Sequence, residues 1–252
     1  MRRRLTRACA VAAQFSELRH ARLTVWEALE LCDELREYEA GLLGEEGLDP
    51  GMSQWEHAIQ TAEACRLAYP DEPWLHLVGL IHGLGKLLSH PRLGSNPQWQ
   101  VAGESFPVGC RFEPDVLCTQ FFSGNPDRRK RQYNSRLGIY EPNCGLRNVL
   151  MSWGACEYLW MVLLLNGATL PKEAMATIRY RRFHALLRSR SAYRHLMTPE
   201  DEEAVEWLRR FEQLSRFSRG RVPTDQMLQG DELRRYYQGL MDQYGIGNKL
   251  RW

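Results

Sequence analysis

The sequence lacks a long hydrophobic run. No stretch of eighteen or more apolar residues occurs in its 252 positions, whereas a transmembrane helix needs about 20 such residues. The longest apolar stretch, Leu159 to Leu165, has the length of a short buried helix. We therefore expect no membrane-spanning segment and no membrane partner.

An excess of charge of one sign is also missing. The 33 lysines and arginines nearly balance the 31 acidic residues, which leaves a formal net charge of +2. A balance of this kind gives no overall field that would attract nucleic acid. The basic run Arg128–Arg131 is most simply a solvated loop, since such runs usually are. We expect no nucleic-acid partner.

The cysteines do not form the pairs typical of a disulfide framework. There are seven, an odd number, and no two stand in a Cys-x-x-Cys motif. This usage favours reduced thiols in an intracellular protein, and we expect a cytoplasmic location. The positions are 9, 32, 65, 110, 118, 144 and 156.

Acidic residues are absent from the first sixteen positions, which carry four arginines. The apolar run at 8–13 is too short for the core of a secretory signal, although the composition has some likeness to a transit peptide. The simpler interpretation is a basic N-terminal segment, residues 1–23, ahead of a single domain over residues 24–252.

Alternating strand patterns and internal repeats are missing too, and helical patterns fill most of the chain. Thr24 is a candidate N-cap, and Ser53 with Glu56 forms a capping-box sequence. Residues 89–148 are rich in Pro, Gly and Asn and predict long loops with short helices. The fold class is therefore all-α, a helical bundle with helices predicted over 25–38, 53–69, 74–82, 147–166, 171–189, 199–217 and 231–244.

Two histidines are the first candidates for chemistry. His57 lies one turn into its predicted helix and His82 ends the next one. Side chains from adjacent antiparallel helices can converge on a metal in a bundle core. From spacing alone, two ordinary core histidines are the better interpretation, because two imidazoles without a carboxylate make a poor iron site.

The motifs around these histidines change that balance. In order and spacing they resemble the myo-inositol oxygenase family over residues 52–252. The resemblance implies an HD-type helical fold and a di-iron centre that uses dioxygen to cleave the inositol ring to D-glucuronate. The motifs are His57–Glu63, Trp74–Lys86, Pro97–Trp99, Gly103–Cys110, Cys144–Leu146, Val149–Gly154, Ile178–Tyr180, Tyr236–Leu240 and Leu250–Trp252.

The resemblance also implies six metal-ligand positions, and only two carry a ligand here. His57 and His82 remain, whereas the aspartate that bridges both irons in the family is absent. The other four positions are occupied by Gly83, Ala155, Arg181 and Ser215. We therefore expect a degenerate di-iron site and an impaired or inactive enzyme.

Positions that the family uses on its substrate indicate a more basic pocket. Lys86 and Gly103 are kept, Glu104 replaces an aspartate, and Arg182 stands where the family has a serine. Arg181 adds a second permanent cation, because a guanidinium stays charged and cannot ligate a metal. Two interpretations stay open: these residues bind an anionic ligand, such as a phosphorylated polyol or a sugar acid, or both arginines turn to solvent and the pocket is merely filled.

Three readings of function follow. The first is a non-catalytic family member that binds a polyol or an anionic relative of it and needs no cofactor. The second is an active inositol oxygenase with two irons despite the substitutions. The third is a different, hydrolase-like activity on a single metal, for which zinc on His57, His82 and Cys156 is the available ligand set.

Overall fold

The structure, a computed structural model, describes residues 5–35, 52–94, 96–97, 101–117, 119–188, 192–216 and 222–252. This part of the chain is predominantly helical, as predicted. Its nine α-helices are α1 Leu5–Phe15, α2 Val25–Glu34, α3 Gln54–Ala68, α4 Pro73–Ile81, α5 Ala155–Leu165, α6 Lys172–Tyr180, α7 His184–Arg188, α8 Pro199–Ser215 and α9 Gly230–Gln243.

Shorter elements connect the α-helices. A two-stranded antiparallel pair joins β1, Arg22–Leu23, to β2, Leu250–Arg251. The loop-rich region predicted at 89–148 does contain short 3-10 helices. The 3-10 helices of the described residues are Leu84–Ser89, Thr119–Gly124, Pro126–Arg129, Arg131–Asn134, Leu146–Asn148, Arg194–Leu196 and Thr224–Gln226.

Side-chain caps set where the first helices of the bundle begin. The hydroxyl of Thr24 accepts from the backbone N–H of Glu27, whose carboxylate accepts from the N–H of Thr24 in return. Ser53 and Glu56 make the same reciprocal pair at the start of α3. Both caps satisfy N–H groups that have no partner within the helix, and both confirm the sequence prediction.

A close helix crossing positions the two histidines. Helices α3 and α4 are consecutive and pack against each other. At Gly79 a β-carbon would lie 2.6 Å from the Cα of Ala62, so only glycine allows the two backbones to come this near. His57 lies on α3 and His82 directly follows α4. The crossing brings both to the same end of the helix pair.

A second close contact brings α5 to this end of the bundle. It packs on the 3-10 helix Leu84–Ser89. A β-carbon at Gly85 would lie 2.0 Å from the carbonyl oxygen of Ala155, the first residue of α5. The 3-10 helix, which carries Lys86, is therefore held against the start of α5.

The N-terminal residues join the domain, although their charge suggested a separate segment. Helix α1 places Leu5 and Phe15 in the hydrophobic core. Phe15 stacks on Trp153 with ring centroids 5.9 Å apart. Helix α1 therefore packs on the same hydrophobic core as residues that follow position 23.

Two predicted helices differ in extent from those observed. The helix predicted at 147–166 begins only at Ala155, because Met151 bridges to Pro107 instead. The helix predicted at 171–189 divides into α6 and α7. The carbonyl of Arg182 accepts from the N–H of Ser105 at 2.8 Å, so it does not continue the helical ladder.

Two further expectations concern membranes and disulfides. No helix in the described part of the chain is both long and apolar enough to cross a membrane. None of the six cysteines in that part forms a disulfide. The seventh, Cys118, lies outside the described residues.

Candidate functional site

His57 and His82 contact each other directly. Their Nε2 atoms are 3.2 Å apart, and the two rings meet edge to face with centroids separated by 5.1 Å. Both side chains are buried. The Nδ1 atom of His82 lies 2.7 Å from the carbonyl oxygen of Gly79. The two histidines that the sequence singled out therefore form one hydrogen-bonded pair.

The partners of His82 determine its tautomer. A carbonyl oxygen can only accept a hydrogen bond, so Nδ1 of His82 carries the proton that is donated to Gly79. In the neutral ring Nε2 is then an acceptor, and it accepts from the Nε2–H of His57. Fixing one ring nitrogen of a histidine through a backbone carbonyl is also how proteins orient metal-binding imidazoles.

Burial and nearby cations keep both rings neutral. Burial lowers the pKa of His57 to about 3, and the charges of Lys86 and Arg181 act in the same direction. The pKa of His82 is lowered well below its ordinary value, first by burial and then by Arg181. Lys86 and Arg181 therefore lie close enough to act electrostatically on the pair.

Lys86 is held by Gln54, the first residue of α3. The ammonium donates to Oε1 of Gln54 at 3.0 Å, and both side chains are buried. Gln54 precedes His57 by three positions on α3, a spacing that puts both on one helix face. That spacing was the signal available in the sequence for assigning Gln54 to the site.

Gly83, which directly follows His82 in the chain, has open space where a side chain would lie. A β-carbon at this position would meet no atom within 4 Å. The backbone there has φ −83° and ψ −16°, a conformation that any L-amino acid adopts. Glycine is therefore not required by the backbone, and a side chain at position 83 would enter unfilled volume.

Ser215 and Arg181 approach the site from two other helices. The ring of Phe211 on α8 lies 5.4 Å from that of His82, and Ser215 follows one helical turn later on the same face. Arg181 is half-buried at the C-terminal end of α6, which packs against α4.

Three residues predicted to contact substrate belong to a neighbouring cluster. Glu104 is buried and accepts from the N–H of Leu117 at 2.5 Å and of Ala185 at 2.6 Å. Gly103 adopts a positive φ of 95° immediately before it. Arg182 is buried, and its carbonyl binds the N–H of Ser105. These contacts anchor the 103–117 loop to the segment between α6 and α7.

The arrangement can be tested for a di-iron centre, which the resemblance predicts for the family. Two nitrogens 3.2 Å apart could each lie about 2.1 Å from a single ion. Among the residues that the structure describes, however, no three His, Cys, Asp or Glu side chains are grouped to hold a metal. Cys156 therefore does not complete a zinc site with the two histidines. Two imidazoles beside two cations do not fit an oxygen-rich di-iron centre.

Comparison with known proteins gives a consistent family. The sequence model described as "Myo-inositol oxygenase" matches residues 3–252. "Inositol oxygenase 1" of Arabidopsis thaliana is 42% identical over 239 residues, which cover 95% of this chain and 73% of that protein. "Inositol oxygenase" of Sus scrofa is 41% identical over 236 residues, 93% of this chain and 78% of the relative.

Proposed function

The chain belongs to the myo-inositol oxygenase family, and we propose that it binds a small anionic polyol or sugar acid without catalysing the family's oxidation of myo-inositol. The observation that carries this proposal is the His57–His82 pair, in which two neutral imidazoles bond to each other under the influence of two cations. A dication at this place would meet the charges of Lys86 and Arg181.

Contacts support assigning all six ligand positions to one site. Gly83 adjoins His82 in the chain, and the carbonyl of Ala155 packs against Gly85. Arg181 acts on both imidazoles, and Ser215 is one turn from Phe211, which contacts His82. If these positions hold the family's ligands, the chain has replaced three carboxylate or imidazole groups by side chains that bind no metal and a fourth by a hydroxyl.

The same contacts support an anionic ligand. Lys86 and Arg181 supply positive charge, and burial strengthens their attraction for an anion relative to bulk water. The Gln54 amide that accepts from Lys86 is buried with it and restricts where the ammonium can lie. Gly83 directly follows His82 and has open space where a side chain would lie. A carboxylate or phosphate of the ligand would enter there, in place of the side chain that glycine lacks.

Metal content is the first experiment. The chain should be purified from iron-supplemented cells beside the Arabidopsis relative and beside a variant carrying Gly83→Asp, Ala155→His, Arg181→His and Ser215→Asp. We expect near-zero iron in the natural chain and a clear gain in the variant. Two irons in each natural chain would overturn the proposal, whether or not the fourfold variant folds.

Ligand binding tests the second half of the proposal. Calorimetric titration with D-glucuronate should give heat that weakens with added salt, whereas neutral myo-inositol should give much less. Arg181→Gln should reduce affinity roughly tenfold, since it removes one charge-assisted contact. Arg209→Gln, at a half-buried arginine on α8 that pairs with Glu206, is the matched control. No heat with glucuronate or inositol hexakisphosphate would contradict an anion site.

An active inositol oxygenase is the second candidate. It is favoured by the relatives, which bear that name and match about 95% of the chain at roughly 40% identity. Conversion of myo-inositol and dioxygen to D-glucuronate by the iron-supplemented protein would establish it. The Arabidopsis relative serves as the positive control for that assay.

A further inference from the structure

A cleft lies in the loop region, on elements that do not carry the histidine pair. Its volume is about 360 Å³, within the range of roughly 300–1,000 Å³ that is usual for small-molecule pockets. The described residues that line it include two arginines, three side chains with hydroxyl or amide groups and one aromatic ring, and none of them is acidic. They are Arg111, Arg128, Thr119, Gln120, Asn134 and Phe112.

Hydrogen bonds fix the backbone near both arginines of the cleft. Arg128 lies in a short 3-10 helix, and its N–H donates to the carbonyl of Asn125 at 3.1 Å. Asp127, beside it, is buried and accepts from the N–H of Leu5 at the start of α1 at 2.7 Å. Across the cleft, the N–H of Arg111 donates to the carbonyl of Ser135 at 3.0 Å. The backbone at both arginines is thus fixed by long-range contacts.

The charge of the cleft is not balanced from within the fold. By contrast, the charge of Arg179 is neutralised within the fold, because its guanidinium donates to both carboxylate oxygens of Glu157. Neither Arg111 nor Arg128 has an acidic partner in the described part of the chain. Three further cations, Arg129 to Arg131, follow directly and are exposed. The five cations outnumber the three acidic residues nearby in the chain, Glu113, Asp115 and Asp127, so the net local charge is positive.

We propose that this cleft binds the phosphate monoester of a small hydroxylated molecule, with the phosphate between Arg111 and Arg128. The guanidinium fork matches phosphate oxygens in geometry and forms charge-assisted hydrogen bonds with them. Thr119, Gln120 and Asn134 supply both donors and acceptors for hydroxyl groups. The half-buried ring of Phe112, packed against Phe122 at 5.1 Å, gives the carbon face of a ligand an apolar surface.

Calorimetry on the full chain tests the site, with glucose 6-phosphate, inorganic phosphate and unphosphorylated glucose as probes. We expect saturable binding of the phosphorylated sugar and little heat with glucose. Arg111→Gln and Arg128→Gln should each weaken binding roughly tenfold or more. Arg129→Gln and Arg131→Gln are matched controls, because both belong to the same basic run but are not among the residues lining the cleft.

Three outcomes would overturn the proposal. The first is the absence of binding. The second is an equal loss of affinity in the control variants, which would indicate a diffuse basic surface. The third is a loss of affinity confined to Arg181→Gln, which would place the phosphate at the histidine site. Thermal melts of each variant separate a lost contact from a lost fold. The four arginines are exposed, so we expect all four variants to fold.

A second arm identifies the source of the phosphate. Phosphatidylcholine vesicles with and without a phosphatidylinositol phosphate should be sedimented with the natural chain and with Arg111→Gln. Sedimentation that requires both the phosphorylated lipid and Arg111 would place the monoester on a lipid headgroup. Binding of glucose 6-phosphate without such sedimentation would identify a soluble ligand. Either result supports the same phosphate contact.

Discussion

Nε2 of His57 and Nε2 of His82 lie 3.2 Å apart, and the hydrogen bond that joins them requires that one of these two nitrogens carry no proton. The second nitrogen of His82 is already committed as a donor to Gly79. A proton added to His82 would therefore force His57 to become the acceptor, and a proton added to either ring would bring a third cation beside Lys86 and Arg181. The surroundings of the pair therefore favour two neutral rings.

Stability should fall as the pH is lowered from about 7 to about 5. The unfolded chain binds protons at its histidines below about pH 6.5, whereas folded His57 binds one only near pH 3. The unfolded state thus holds more protons in this window, so the free energy of unfolding decreases with falling pH, by at most about 1.4 kcal/mol per pH unit for each such histidine. Urea denaturation across this range measures the slope.

His57→Gln is the control for that slope. Glutamine keeps a hydrogen-bonding group but does not titrate, so the variant should lose less stability per pH unit than the natural chain. Unfolding midpoints that do not change between about pH 7 and about pH 5 would contradict the neutral pair.

Substitution by alanine should affect stability differently at two glycines of one short segment. Gly83→Ala places a β-carbon in open space at an ordinary backbone conformation and should change the free energy of unfolding by less than about 1 kcal/mol. Gly85→Ala places one 2.0 Å from the carbonyl of Ala155 and should destabilise by about 1–3 kcal/mol or more. Thermal denaturation followed by circular dichroism compares the two. Equal effects would show that the volume beside His82 is filled.

A buried carboxylate outside the candidate site should be important for stability. Glu63 is fully buried and accepts from the hydroxyl of Tyr237 at 2.8 Å, from the N–H of Leu228 at 2.8 Å and from Arg66. Glu63→Ala leaves several donors without an acceptor and should cost about 3–5 kcal/mol. Tyr237→Phe removes one hydrogen bond and should cost about 1 kcal/mol. Similar losses for both, measured by urea denaturation, would contradict this network.

The residue at position 252 should contribute far more to the free energy of unfolding than its exposed neighbours do. Trp252 is fully buried, its backbone bonds Ala21, and its indole N–H donates to the carbonyl of Leu23. Trp252→Ala should therefore destabilise by about 3–5 kcal/mol. Lys249→Ala removes only an exposed ion pair with Glu27 and should cost less than about 1 kcal/mol. Chemical denaturation of both variants provides the comparison.

Features that depend on neighbours in sequence could be predicted. The caps at Thr24 and Ser53 are local, since each uses a glutamate three positions later. The convergence of His57 and His82 follows from two consecutive helices joined by a short turn. The family resemblance extended this to Lys86 and Arg181, whose charges act on the pair.

Features that depend on distant contacts could not be predicted. The break after Arg181 arises because Ser105, far away in sequence, takes the carbonyl of Arg182. The carboxylate of Glu104 binds the N–H groups of Leu117 and Ala185, which lie 13 and 81 positions further along the chain. The late start of α5 likewise rests on a bridge between Pro107 and Met151. None of these pairings leaves a periodic pattern in the sequence.

The joining of β1 to β2 also sets an order of events during synthesis. Leu23 is separated from Trp252 by 229 positions, which a ribosome takes roughly 10 to 50 s to translate. For that time Ala21 and Leu23 have no strand to pair with, and the apolar surface later covered by the indole stays exposed to water and to chaperones. The helices can assemble earlier, but the pairing of residues 21–23 with residues 250–252 cannot form until translation reaches position 252.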